Sequence, residues 1–205
     1  FQGYAEVAND QPIPPLNRYH AAGIPQRAFD PEKAKFHLNK AGVLSSPLAV
    51  TTSPAATGSV EMGLLLQQAG QGIGLKVDLK QVPADGYWTN FWMKVPVGYG
   101  NINPRPTADI LFSLFFASNA AWNESAWKNE KFDQHLIAAR AETDEAKRKQ
   151  MYADMQMMIH EGSGIGIPVF INGLDAHTDK LKGLVPMGTG SMMGYSFAEH
   201  VWLDA

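Results

Sequence analysis

Between Leu48 and Val82 the sequence changes period twice, and this change limits the fold more than any other feature. LAVTT, residues 48–52, is a short β-branched run. VEMGLLLQQAG, residues 60–70, carries apolar Leu64, Leu65 and Ala69 at helical spacing. LKVDLKQV, residues 75–82, alternates strictly, with Leu75, Val77 and Leu79 on one face. Strand, helix and half-buried strand in that order form a βαβ unit, a connection that is almost always right-handed.

Helices follow on both sides. Asp30-Pro31-Glu32 is a helix start: Asp30 can accept from free N–H groups, Pro31 suits the first helical position, and Glu32 favours the positive end. Gly42 supplies the left-handed stop for a helix running to about Ala41. Residues 1–28 are Pro- and Gly-rich and read as an extended leading segment. A short aromatic helix is expected over Ala84–Lys94, a short strand over Pro96–Gly100 and a buried helix over Thr107–Phe116. Two consecutive helices follow, Lys131–Glu142 and Glu145–Glu161. The second carries an apolar stripe of Met151, Tyr152, Met155, Met158 and Ile159 that reads as core. Ile165–Asn172 reads as a strand, with Pro168 marking an edge or a bulge. Alternating helices and strands set the class as α/β, and 205 residues suit one domain.

Composition removes several chemistries. The net charge is −3 and no Lys/Arg run occurs, so nothing marks a nucleic-acid or anionic-membrane footprint. The absence of cysteine excludes thiolate catalysis and Cys-ligated metal. No apolar run approaches the ~20 residues that span a bilayer. The first residues lack a basic region followed by an apolar one, and the sequence begins at Phe1 rather than Met, so it reads as a fragment or a processed piece. The glycine clusters at Gly70–Gly74 and Gly162–Gly166 follow helices rather than open them, which fails both the phosphate-loop and the nucleophile-elbow contexts. The six histidines show no i, i+4 pair, leaving a metal only to partners distant in sequence. No cofactor, metal or catalysed reaction is expected.

What remains is a crowd of aromatic and polar residues in loops: Tyr87, Trp88, Phe91 and Trp92, then Arg105 and Asp109, then Trp122, Asn123 and Trp127. Aromatic rings mixed with a few polar groups line small-molecule clefts, and rings of this kind also fill cores. Trp92 reads as core. Tyr87, Trp88 and Trp122 are open to either role.

An ordered set of segments resembles the dipeptide/oligopeptide-binding family of ABC importer substrate-binding proteins. Pro12-Ile13-Pro14-Pro15, Tyr19 and Asp30-Pro31-Glu32-Lys33-Ala34-Lys35 lead into a helix ending Ala41-Gly42. Pro83–Trp88, Arg105–Asp109, Asn129, Phe132-Asp133 and Leu136–Ala141 follow. Arg148–Met155, Ile167-Pro168 and Phe170 close the set. The likeness spans most of residues 10–185.

The resemblance implies one lobe of a two-lobed periplasmic-binding-protein-like fold, a mixed sheet flanked by helices. Residues 1–205 would form a single C-terminal lobe, with 1–19 and 185–205 near the hinge to a missing N-terminal lobe. It further implies an exported, periplasmic protein that captures a peptide or similar small solute between lobes and delivers it to ABC transporter permease subunits. A sensory or protein-interaction domain built on the same lobe is the alternative. Tyr87, Trp88, Arg105, Asp109, Trp122 and Asn123 are the expected ligand-binding residues. Family members that bind peptides place an Asp before the Pro-containing turn to pair with the ligand's α-amino group. Asn101-Ile102-Asn103-Pro104-Arg105 stands there in this chain. An amide gives no full countercharge, whereas Arg105 offers a planar fork for a carboxylate or phosphate, or a local partner for Asp109.

Overall fold

The computed structural model describes residues 1–204. In chain order the elements are β1 (Ala5–Val7), α1 (Pro31–Lys40), β2 (Leu48–Thr52), α2 (Ser59–Gly72), β3 (Val77–Gln81), α3 (Tyr87–Asn90) and α4 (Ala108–Phe115). They continue as α5 (Glu130–Ala141), α6 (Glu145–Gly162), β4 (Val169–Ile171), β5 (Leu181–Lys182), α7 (Ser191–Gly194) and β6 (Trp202–Leu203). The class is α/β, with helices flanking sheets in which β2–β3 pair in parallel and β1–β4 and β5–β6 pair antiparallel. The chain divides into two compact units, Phe1–Gln26 with Ile102–Ala205, and Arg27–Asn101.

The continuous unit, Arg27–Asn101, holds the βαβ motif. Leu48 lies opposite Val77 and Thr52 opposite Gln81, and α2 connects the two strands. The face that α2 turns inward differs from the one its leucines suggest. Ser59, Gly63 and Gly70 are buried, whereas Leu64 and Leu65 are 53% and 64% exposed. The reason is close approach. A Cβ on Gly63 would stand 2.6 Å from Thr52 Cγ2 and 2.8 Å from Leu79 Cδ1, so only a glycine lets the helix backbone rest on the strands at this point.

Helix α1 starts as its sequence dictates. The Asp30 side chain accepts the Lys33 N–H at 2.9 Å, Pro31 occupies the first turn, and Gly42 takes the left-handed conformation at φ 73°. Such a cap is worth about 1 kcal/mol. No residue of α1 is buried, and Phe36 is exposed. The strand expected over Pro96–Gly100 does not form. This stretch is irregular and is tied to β2 by the Thr51 N–H donating to the Val97 carbonyl at 2.9 Å.

The discontinuous unit is built on α4, α5 and α6. Phe112, Phe116, Phe132, Met155 and Ile159 are fully buried together with Ile13 from the leading segment. Phe112 tilts against Phe132 at 5.5 Å and Tyr152 at 5.9 Å. Each such ring contributes about 1.5–3 kcal/mol by burial. Each of these three helices has a side-chain cap: Thr107 for α4, Asn129 for α5 and Asp144 for α6. The methionine stripe of α6 is core as expected, with Met151 and Met158 packed at its margin.

Strand pairing and side-chain bonds fasten the leading segment to this core. Ala5 pairs with Ile171 and Val7 with Val169. Gln156, fully buried within the apolar stripe, accepts the Ala21 N–H at 3.0 Å and donates to the Tyr19 and Tyr152 carbonyls at 2.7 and 2.9 Å. Arg18 and Arg148 both pair with Glu145, and their guanidinium groups hold its carboxyl below the usual carboxylate range.

Candidate functional site

Helix α3 opens at Gly86, whose φ of 71° lets the chain turn sharply out of the loop after β3. Tyr87 then points inward. It is 0% exposed, packs with Ala56 and Val82, and its hydroxyl donates to the Tyr99 carbonyl at 2.6 Å and accepts the Tyr99 N–H at 3.2 Å. The hydroxyl thus satisfies the backbone of a stretch that has no sheet partner of its own. Burial, with Tyr87 as a lesser neighbour, raises the pKa of Tyr99. Trp92 packs at the edge of the same cluster, consistent with the core role expected for it. Trp88 is different: it stands edge-on to Tyr87 at 5.2 Å and to Trp92 at 5.8 Å, and remains 42% exposed. Of this aromatic group, Tyr87 is a core residue with no surface to offer a ligand, and Trp88 presents its ring.

The second group lies in the other unit. The Thr107 hydroxyl accepts the Ile110 N–H at 3.2 Å and fixes the start of α4. That helix buries Ala108, Leu111, Phe112 and Phe115, which turns Asp109 toward α5. There the Arg140 Nε donates to the Asp109 carboxylate at 2.7 Å, and the Arg140 Nη2 donates to the Ser113 hydroxyl at 2.7 Å. Asp109 is therefore committed to Arg140, and the local Arg105–Asp109 pair suggested by their spacing does not form.

Arg105 is held otherwise. Its guanidinium lies over the Phe115 and Trp122 rings, 5.6 Å from each centroid, and Nη1 donates to the Pro104 carbonyl at 3.0 Å and, more weakly, to that of Asn103 at 3.4 Å. Trp122 is 36% exposed, its ring rests against Phe115 at 5.4 Å, and its backbone N–H donates to the Leu114 carbonyl. Asn123 is 7% exposed. Its Nδ2 donates to the Trp127 carbonyl at 2.6 Å and the Ala117 carbonyl at 3.3 Å, and its Oδ1 accepts the Trp127 N–H at 3.2 Å. Asn123 closes the loop that carries Trp122, and its amide is spent within the protein.

The six expected residues thus separate. Trp88, Arg105 and Trp122 offer surface, Tyr87 and Asn123 are buried organisers, and Asp109 belongs to an ion pair. Arg105 and Trp122 are brought together, with Phe115 as a second ring that sequence reasoning missed. Arg140 was also missed, because nothing local links it to a carboxylate 31 residues earlier. A depression of about 410 Å³ at the start of α2, lined by Pro54, Thr57, Glu61, Gln81 and neighbours, contains none of the six. Among the described residues no group of three or more His, Asp or Glu could hold a metal, and no helix is long and apolar enough to cross a membrane.

Comparison with known proteins places these observations. The family model described as bacterial extracellular solute-binding proteins, family 5 Middle, matches residues 1–124. The di/tripeptide-binding protein 2 of Pseudomonas aeruginosa is 26% identical over 163 residues, which is 73% of this chain and 30% of that protein. HbpA2 of Haemophilus parasuis aligns over 100% of this chain and 41% of its own, with 25% identity and a TM-score of 0.73. The periplasmic binding protein DppA of Helicobacter pylori, in complex with the peptide STSA, aligns over 100% and 40%, with 21% identity and a TM-score of 0.74. The chain spans well under half the length of each of these proteins.

Proposed function

The chain belongs to family 5 of the bacterial extracellular solute-binding proteins, and on that premise we propose that it is the C-terminal lobe of the substrate-binding component of an ABC importer. The whole protein captures a peptide or similar small solute between this lobe and an N-terminal one in the periplasm and delivers it to the permease subunits. Residues 1–19 and 185–205 run near the hinge. No reaction is catalysed and no cofactor is needed. The family match over residues 1–124 carries this reading. The similarity to a di/tripeptide-binding protein supports peptides as the first solute class to test.

The physics is closure. Shutting a cleft excludes water and strengthens every polar contact inside it, while aromatic faces give apolar contact that tolerates varied side chains. Arg105 and Trp122, which the fold brings together, are the candidate contacts, and Trp88 is a separate candidate. Tyr87 and Asn123 position them. A second reading, a sensory or protein-contact module on the same lobe, draws on the exposure of Leu64, Leu65 and Phe36.

The test is thermal unfolding of the full-length protein against panels of di- and tripeptides, amino-acid derivatives and sugars. A ligand binding only the folded form at a hundredfold excess over its Kd adds ~2.7 kcal/mol. A rise in Tm with one class supports the importer reading and identifies the cargo. A well-folded protein that responds to no class supports the protein-contact module.

A further inference from the structure

We propose that Arg105 is a preset receptor for a carboxylate of the captured solute. This rests on the solute-binding reading and adds to it the sign of the charge that is read. Two rings and two carbonyls fix the plane of the guanidinium: Phe115 and Trp122 hold its face, and the Asn103 and Pro104 carbonyls take Nη1. The edge formed by Nε and Nη2 has no partner among the described residues, and no described carboxylate pairs with Arg105. The acid nearest along the chain, Asp109, is neutralised by Arg140. What is left is a cation whose side chain is already ordered and whose two parallel N–H groups point to no protein acceptor.

Such an edge matches the two oxygens of a carboxylate side-on, at the short distances of charge-assisted hydrogen bonds. A guanidinium has no acceptor, so it cannot take an ammonium group. Because the rings and carbonyls hold the side chain before the ligand arrives, little rotamer freedom is lost on binding. The segment Asn101–Arg105 contains no acidic residue, so the local charge favours an anionic end of the solute over an amine.

The experiment follows the Nε–Hε signal of Arg105 by NMR in the full-length protein, identified by its loss in Arg105→Lys, during titration with sodium acetate, inorganic phosphate or methylammonium chloride at fixed ionic strength. The expected result is a saturable change with acetate and none with methylammonium. Arg105→Gln, followed at the indole N–H of Trp122, should weaken acetate ~10–100-fold, the loss of one charge-assisted pair. A linear, non-saturating response to acetate, or saturation by phosphate alone, overturns the proposal without relying on any variant folding. If the solute panels stabilise the protein while acetate leaves Arg105 unmoved, the receptor falls and the importer reading stands. If acetate saturates Arg105 and no solute class stabilises the protein, the anion site stands and the importer reading falls.

Discussion

Replacing Gln156 by Leu preserves side-chain volume and deletes three hydrogen bonds at a fully buried position. The Tyr152 carbonyl lies inside α6, whose own ladder still serves it. The Ala21 N–H and the Tyr19 carbonyl lose a partner. An unsatisfied buried group costs ~1–3 kcal/mol, and partial access of water to Tyr19 lowers its share, so the substitution should cost ~2–4 kcal/mol. The damage is local, because it loosens the leading segment from α6. Amide hydrogen exchange of the full-length protein reads it directly: protection at Ala21 should fall by ~30–1000-fold, the same energy expressed as a ratio. Exchange at Ala21 within about threefold of the parent, a difference under ~1 kcal/mol, would refute the assignment of Gln156 as the clamp.

Three further outcomes follow from the packing. Gly63→Ala gains ~1 kcal/mol of helix propensity yet meets the stiff, buried Thr52 at 2.6 Å, an overpacking cost of ~1–3 kcal/mol, so urea unfolding should show a net loss and a gain would contradict the close approach. Asn123→Ala removes the bonds that close the Trp122 loop; it should cost ~1–3 kcal/mol in thermal unfolding and increase acrylamide quenching of Trp122. Burial, reinforced by Asp109, pushes the Tyr152 hydroxyl up to about 12 from 10.0. The folded state then keeps its proton where the unfolded chain has lost it, so this contribution is intact below pH 10 and drains away between pH 10 and about 12. Tyr152→Phe should flatten that fall in Tm, and an unchanged alkaline profile would count against it.

Local chemistry made much of the fold readable. Asp30, Pro31 and Gly42 bound α1 because capping is decided within a few residues, and the two periods of residues 48–82 mark β2, α2 and β3 for the same reason. The inward face of α2 was not readable. Its leucines crowd the middle of the helix, and a glycine's value in a close approach depends on a strand that passes elsewhere. Tyr87 and Trp88 are adjacent aromatics of similar character, yet one is core and the other surface, because the hydroxyl of the first answers a backbone twelve residues on. Asp109 and Gln156 are settled by partners 31 and 135 residues away, beyond any local pattern. Arg105 was singled out from its chemistry, but the rings that hold it come together only through the fold.

The pairing of β1 with β4 has a consequence for how the chain assembles. Val7 cannot meet Val169 until the long stretch between them has been made, whereas Arg27–Asn101 is contiguous and can close its own contacts early. The intervening unit less than doubles the loop between the two strands, so its presence adds under ~0.6 kcal/mol to the entropy of closing it. Equilibrium scarcely registers the insertion; the burden falls on rate, since non-local pairings form slowly. During synthesis β1 waits as an unpaired edge, open to chaperones and to other chains, until β4 has been made and can cover it.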